Sequence, residues 1–579
     1  MHNEMEYQLL SELVELYPSK ITRGEQKNEY ILLDDFVLEE KGINFQKDEA
    51  LLCKSERKSI KCGSIKFKKV PGTITNVKIE CPIFIEFSPL VVMENCHITM
   101  ESCPENRLID ISNSVVYITD SEIQCLDKVS INAVQNSRVL LKNDLIQNSN
   151  LTLINVNSSK LIMEHSTMKD SKQNGIYSQD NSIIQISDSD ISNIEYPSIY
   201  ASNCYYIIER TKFFNLKQNG ITFVKCKNVC IRDCYFDTIE SSAISCASSK
   251  IEIEHSEIKN INGNGAYISE NSKAVIHNNT ITDCQFPSIA LLYGCVCTMT
   301  KNYIKNMDKS GICFRGSKMV CFEDNTIDIA GECGISVSDT NIIEINRNKI
   351  LNCMISACES YNSSKVIFLD NEIDGNYPYG LLVYSGGKIT AERNTFKGVT
   401  KAICQLRYKG SAVVAHNHVS KDVQPYDGQT CGLYLFEDNG ESPSATNIQE
   451  DAERLHIPCD PLLPESSNKC IKCQEGPRNC YFQDCGHCIY CMSCGQKALE
   501  NNESCPLCRF PIVGVTSGFN EDSHGLCTIC NDNEANCIIF PCGHTGFCDT
   551  CLSRWYEDNK TCPFCRQDPS TFKKIETAV

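Results

Sequence analysis

The sequence has no run of about 18 apolar residues, which excludes a membrane-spanning helix read from sequence. Its start, MHNEMEYQLLSELVELYP, lacks the apolar core of a secretory leader. Both absences place the chain in a reducing compartment, cytoplasm or nucleus, where sequons such as Asn278-Asn279-Thr280 stay unglycosylated. Basic residues are scarce, 55 Lys and Arg against 73 Asp and Glu, for a net charge of -18. Phosphate backbones need clustered cations, so a general nucleic-acid role is excluded. Tryptophan occurs once, at Trp555.

Cysteine is abundant instead, at 39 residues. Twenty precede residue 430 and 19 follow it, yet C-x-x-C pairs begin only at Cys470. The sulfur chemistry belongs to the C-terminal part.

The long N-terminal part is a repeat. GICFRGSKMVCFEDNTIDIAGEC (311–333) is followed by GISVSDTNIIEINRNKILNCMIS (334–356), a period close to 23. One apolar position recurs as Ile123, Leu145, Met168, Ile191, Phe214, Phe236, Ile258, Ile281, Ile304, Ile327, Ile350, Ile373, Phe396 and Val419, in steps of 22 or 23. Two residues earlier stands a small polar residue, which is Asn on seven consecutive turns from Asn279 to Asn417. A second apolar position runs through Ile176, Ile199, Ile221, Ile244, Ala266, Ile289, Ile312, Ile335, Leu381 and Ile403. Short alternating stretches separated by Gly, Asn, Asp and Ser read as strands with one buried face. One unit cannot bury that face alone, whereas stacked units can. The expected architecture is mainly β: a parallel β-helix solenoid of about 14 coils, about 70 Å long at about 4.8 Å per coil. Leu9, Leu10, Leu13, Val14 and Tyr17 lie at helical spacing, the pattern of a helix capping the first coil.

The repeat resembles the right-handed parallel β-helix of the pectate-lyase-like superfamily over residues 86–425. Handedness comes from that resemblance. Residues 1–20 then form the cap and 21–85 leader strands that start the solenoid. From 426 to 469 the chain reads as an acidic linker, with eight acidic residues against Arg454 alone between Glu437 and Glu465.

Two eight-ligand zinc modules follow. The first offers Cys470, Cys473, Cys485, His487, Cys491, Cys494, Cys505 and Cys508; the second Cys527, Cys530, Cys542, His544, Cys548, Cys551, Cys562 and Cys565. Every ligand of the second is the first plus 57, with identical gaps of 2, 11, 1, 3, 2, 10 and 2 residues. Zn²⁺ takes four soft or borderline ligands in a tetrahedron, and a C-x-x-C knuckle supplies two of them. Two ions per module, four in all, are expected.

The modules (470–509 and 527–566, joined by a linker or tail strand at 510–526 and followed by a tail at 567–579) resemble RING fingers, the zinc domains of a ubiquitin ligase family. The resemblance implies interleaved sites. Cys470, Cys473, Cys491 and Cys494 hold one ion, and Cys485, His487, Cys505 and Cys508 the next. The second module repeats this with Cys527, Cys530, Cys548 and Cys551, then Cys542, His544, Cys562 and Cys565. It also implies that the chain recruits a ubiquitin-conjugating enzyme and ubiquitin, with no covalent catalytic residue. By family position, Ile529, Pro541, Trp555 and Pro563 match the apolar groove for that enzyme, and Arg566 and Arg509 the ubiquitin-orienting arginine. The first module has Lys472, Asp484 and Ala498 where Ile529, Pro541 and Trp555 stand, so docking is expected on the second. CRFPIVGVTSGF (508–519) resembles an apolar tail through which some RINGs dimerise. Cys480, Cys488 and Cys537 are not ligands and read as core.

β-helices also cleave polysaccharides with clustered carboxylates. The position four before the apolar ladder runs Arg232, Glu254, His277, Thr300, Glu323, Asn346, Leu369, Glu392, a mixture that reads as a solvated face. β-helix repeats serve some F-box proteins as substrate receptors. The reading is therefore a ligase whose rod binds a substrate protein. A non-enzymatic zinc-dependent scaffold and a carbohydrate-active rod are the alternatives. Arg57, Lys58, Lys61, Lys66, Lys68 and Lys69 read as a solvated basic edge, and Thr577-Ala578-Val579 fits a minimal PDZ-ligand pattern.

Overall fold

The computed structural model describes residues 7–38, 41–419, 423–427 and 434–437. Beyond them it describes 470, 472–473, 475, 480–482, 488–501, 503, 512, 515–517, 527, 529–530, 537–540, 547–559 and 571–574. The chain divides into two compact units, Met1–Ser442 and Pro443–Val579.

The first unit is a parallel β-solenoid of about 17 turns. One turn shows the plan: strands Ile183–Ser187, Asp190–Ile194 and Ile199–Ser202 follow one another around the coil. Each pairs in register with its equivalent one turn on, Ile184 with Tyr206, Ile191 with Phe213 and Ile199 with Ile221. Alternate side chains point inward, so each interior position stacks on its own kind, as Ile176, Ile199, Ile221 and Ile244 do, all fully buried. A single apolar core results, running from Leu10 to Val414.

The corner before the second strand is built from residues in the left-handed region. Asn143, His165, Asp188, Arg210, Asp233, His255 and Asn278 all have φ between 46° and 57°. Asn and Asp enter that region readily, whereas Arg210 and the histidines are held there by the coils above and below. Just past this corner stands the buried asparagine column. The Asn302 backbone N–H donates to Asn325 Oδ1 at 2.9 Å, and Asn302 Nδ2 donates to the same oxygen and to Ile276 O, each at 2.9 Å. The pattern repeats through Asn348, Asn371 and Asn394.

Four details differ from the sequence reading. The apolar ladder passes through Ile146 and Phe213, both buried, where the sequence suggested Leu145 and Phe214. The second ladder passes through Cys404, paired with Leu381, in place of Ile403. The N-terminal helix α1 spans Leu10–Leu16, with Leu10 and Leu13 fully buried, while Tyr7–Leu9 is a strand paired with Gly42–Asn44. And the start of the expected linker belongs to the solenoid, since Gln424–Asp427 and Tyr434–Glu437 pair onto preceding coils.

Candidate metal centres

In the first finger a hairpin of Cys480–Phe482 with Cys488–Tyr490 leads into helix α2, Met492–Glu500. Cys491 is the residue that caps α2, and Cys494 sits in its first turn. Helix and hairpin thus bring the third ligand pair to the first pair, Cys470 and Cys473. The four Sγ atoms of Cys470, Cys473, Cys491 and Cys494 lie within 4.8 Å of one another. In the second finger helix α3, Asp549–Asn559, follows Cys548, and Cys527, Cys530, Cys548 and Cys551 cluster within the same limit.

The donor set fits zinc. A Zn–S bond of about 2.3 Å sets tetrahedral sulfurs about 3.8 Å apart. Cys473 and Cys491 Sγ stand 3.7 Å apart, and Cys530 and Cys548 Sγ 4.0 Å. The thiols also compete for charge. The Ser493 hydroxyl and the Cys494 backbone N–H hold Cys491 down at about 6, while burial pushes Cys494 up to about 12. In the second cluster burial opposes ionisation of Cys527, but the backbone N–H groups of Cys548, Cys530 and Ile529 bring it to about 6. Burial and the neighbouring thiols push Cys551 to about 12. A bound dication removes this competition, because it lets all four ionise.

Both clusters join the first and third ligand pairs and skip the second, which is the interleaving expected of a cross-brace. Cys485, His487, Cys505, Cys508, Cys542, His544, Cys562 and Cys565, with Pro541, Pro563, Arg566 and Arg509, lie outside the described residues. Ile529 is exposed at 44%. Trp555 is half-buried on α3. Lys472, at the position equivalent to Ile529, is engaged within its own finger. Its Nζ donates to both Glu503 carboxylate oxygens, at 2.6 and 2.8 Å, and lies 5.4 Å from the Tyr490 ring centroid.

The non-ligand cysteines Cys480 and Cys537 are fully buried. A Cβ at Gly495 would overlap Cys480 Sγ, so glycine is required where that thiol meets α2. The second finger has Leu552 at the equivalent place, packed with Cys537, Ile539 and Phe547.

Each finger also contains a strand after its last ligand. Val515–Ser517 pairs antiparallel with Cys480–Phe482, and Thr571–Lys574 with Cys537–Phe540. Cys480 faces Ser517 and Cys537 faces Lys574, so the offset of 57 extends to these strands. Part of the apolar stretch read as a dimerisation tail therefore completes its own finger's sheet. The repetition of VTS (515–517) as FKK (572–574), 57 residues on and without shared residue types, was too weak to reveal it.

On the rod, Arg232, Glu254, His277, Thr300 and Glu323 stack in register on the outer face. Arg232 Nε lies 3.3 Å from Glu254 Oε2. In the N-terminal basic edge Lys66 and Lys68 share Glu86.

Comparison with known proteins agrees with these units. The right-handed β-helix region family matches residues 64–203 and 242–396, and the C3HC4-type RING zinc finger matches 466–515 and 523–572. The chain belongs to the right-handed β-helix family and carries two RING fingers. The fingers bind zinc, two ions each. Curated relatives match through the RING region. E3 ubiquitin-protein ligase APD2 of Arabidopsis thaliana is 43% identical over 51 residues, 9% of this chain and 12% of that protein. E3 ubiquitin-protein ligase NEURL3 of Rattus norvegicus is 45% identical over 56 residues, 10% of this chain and 20% of that protein. The chain thus spans a fifth or less of these relatives' length. Among solved structures, the mannuronan C-5 epimerase AlgE4 A-module of Azotobacter vinelandii resembles it with a TM-score of 0.28 at 9% identity, covering 62% of this chain and 91% of that one. Vag8 in its complex with C1 inhibitor gives a TM-score of 0.39 at 6% identity, covering 75% and 99%. Likeness this low bears no functional weight.

Proposed function

We propose that the chain is a RING-type E3 ubiquitin ligase whose rod binds the substrate protein. The observation that carries this is the pair of RING fingers, each with a zinc-fitting Cys₄ cluster, matched by curated ubiquitin ligases. In this reading Cys485, His487, Cys505 and Cys508, and their counterparts Cys542, His544, Cys562 and Cys565, hold the second ion of each finger. Zinc supplies rigidity there. The chain's own residues bind a ubiquitin-charged conjugating enzyme and orient the thioester toward a substrate lysine. The fully buried Cys480 and Cys537 suit packing, in keeping with direct transfer without a ligase thioester. Reducing surroundings, cytoplasmic or nuclear, suit the sixteen metal ligands.

The second finger recruits the conjugating enzyme, with Ile529, Pro541, Trp555 and Pro563 as the apolar contact and Arg566 orienting ubiquitin. The exposed Ile529 supports this. The first finger, whose Lys472 is tied to Glu503, supports or assembles. The test is autoubiquitination with purified activating enzyme, conjugating enzyme, ubiquitin and full chain. Truncating an aliphatic anchor of an interface costs about 1–2 kcal/mol, so Ile529→Ala should slow the reaction about tenfold. Lys472→Ala should stay within about twofold, as an exposed ion pair contributes little. Equal losses would sink the division of labour; no ubiquitination by the intact chain would sink the ligase reading and favour a scaffold.

A further inference from the structure

The outer face of the rod carries an apolar field on one sheet. Strands Val115–Thr119, Arg138–Lys142, Lys160–Glu164, Ile183–Ser187 and Tyr205–Glu209 lie side by side, in register. Their outward positions bring Tyr117, Leu140 and Ile162 into one row. That row continues through Gln185 to Ile207, and Ile183 stands in the row beside it; Ile183 and Ile207 are exposed at 44% and 40%, and Tyr117 at 41%. Farther along the same sheet the equivalent positions include the charged Lys250, Glu252 and Lys273. Large aliphatic side chains kept in water on consecutive strands mark an interaction surface.

Arg138 and Lys160 stand in the row flanking this field, while Lys142, on its other flank, faces Glu164 in register. Arg138 pairs in register with Lys160, so like charges face each other across adjacent strands. Such pairs are destabilising unless compensated. At the outer corner of the rod, cations are compensated one coil away: Arg210 with Asp188 at 2.7 Å, Arg347 with Asp324 at 2.9 Å, Arg393 with Asp370 at 2.8 Å. Among the described residues Arg138 and Lys160 have no carboxylate within ion-pair distance.

We propose that this face docks an extended protein segment that presents aliphatic side chains and an acidic one together on one face, at alternate residues. The aliphatic side chains cover Tyr117, Leu140, Ile162 and Ile207, and a carboxylate meets Arg138 and Lys160. Five strands at about 4.8 Å span roughly 20 Å, which is six or seven extended residues laid along the rod at about 3.3 Å each. Charge selects the occupant. A second copy docking the same face would bring Arg138 and Lys160 against their own equivalents. Two cations beside an apolar field are also too few to follow a phosphate backbone. The role of the segment as part of a ubiquitination substrate rests on the ligase reading; the docking itself does not.

The experiment uses the full zinc-loaded chain and fluorescein-labelled peptides of about seven residues in which one set of alternate positions carries isoleucines and one aspartate, or isoleucines and one lysine, with threonine at the positions between. Fluorescence anisotropy should show the aspartate peptide binding at least about tenfold tighter than the lysine peptide. Arg138→Glu with Lys160→Glu should invert that preference. Ile162→Asp with Ile207→Asp should abolish binding of both. Lys250→Glu with Lys273→Glu, an in-register pair outside this field, should change nothing. The altered side chains all point outward, and an unchanged circular-dichroism melt verifies the fold. Binding without charge preference, or binding that survives the aspartate pair, would overturn the proposal. So would a dimer in sedimentation that this pair converts to monomer. Autoubiquitination measured on the same variants stays unchanged, so failure of the docking face is distinguishable from failure of the ligase.

Discussion

Asp144 sits in the column that the asparagines occupy farther along, and it is 2% exposed. Its carboxylate accepts from the backbone N–H groups of Ser121 and Lys142, each at 2.8 Å, and its own N–H donates to Ser166 Oγ at 3.1 Å. Burial outweighs these donors and pushes its pKa up to about 7. An unfolded aspartate titrates near 3.9, so between about pH 4 and about pH 7 the native state binds more protons than the unfolded one. Stability falls as pH rises through that window. The stabilisation is fully present below about pH 4 and gone above about pH 7. Asp144→Asn removes the titration and carries the column's own amide. Thermal melts at about pH 5 and about pH 8 should show the wild type losing ground to Asp144→Asn at the higher pH. A gap independent of pH would contradict the assignment.

The asparagine column is the element that locks coil to coil. Asn348 accepts from the Asn325 N–H and from Asn325 Nδ2, and its own Nδ2 donates to Phe322 O, Asn346 O and Asn371 Oδ1. Asn348→Ala leaves several of these buried groups unpaired, each costing about 1–3 kcal/mol. Denaturant unfolding should show a loss of about 3 kcal/mol or more, while Asn348→Ser, which keeps an acceptor, should lose less. The seven asparagines were visible because one residue type repeats. Upstream the same column is Cys96, Ser121, Asp144, Ser166 and Ser189, where the N–H of each of the first four donates to the next side chain. What repeats there is an acceptor, and spelling hides it. The apolar ladder failed more subtly at Leu145 and Phe214. Each has an apolar neighbour, Ile146 and Phe213, and steps of 22 and 23 both close a coil. A one-residue slip changes which face is buried, and only pairing settles it. The strands after each finger escaped notice for a related reason: three or four residues carry too short an alternation.

At the scale of the molecule, the repeat and the ligand spacing made rod and fingers legible. The rod's start was not, because the early coils are uneven: Ile65 pairs with Ile83, 18 residues on, and Ile83 with Ile109, 26 on. The two compact units also differ in what holds them together. The rod stacks fully buried aliphatic side chains over its whole length, and among the described residues the metal-ligating clusters all lie in the fingers. Among the described residues the second finger's buried cluster is Cys527, Cys537, Ile539, Phe547, Cys548 and Leu552, three of them cysteines and two of them zinc ligands. A domain of about 40 residues does not bury enough apolar surface to offset the entropy of ordering the chain, whereas structural zinc supplies roughly 10–16 kcal/mol in comparable small domains. Chelation should therefore unfold the fingers and leave the rod intact. The only tryptophan is on α3 of the second finger, so it reports on that finger alone. A strong zinc chelator should red-shift Trp555 emission and abolish ubiquitination, while the β-sheet circular-dichroism melt of the rod keeps its midpoint. Restored zinc should return the emission. A rod melt that moves with the fingers would show that the two units fold as one and refute their energetic independence.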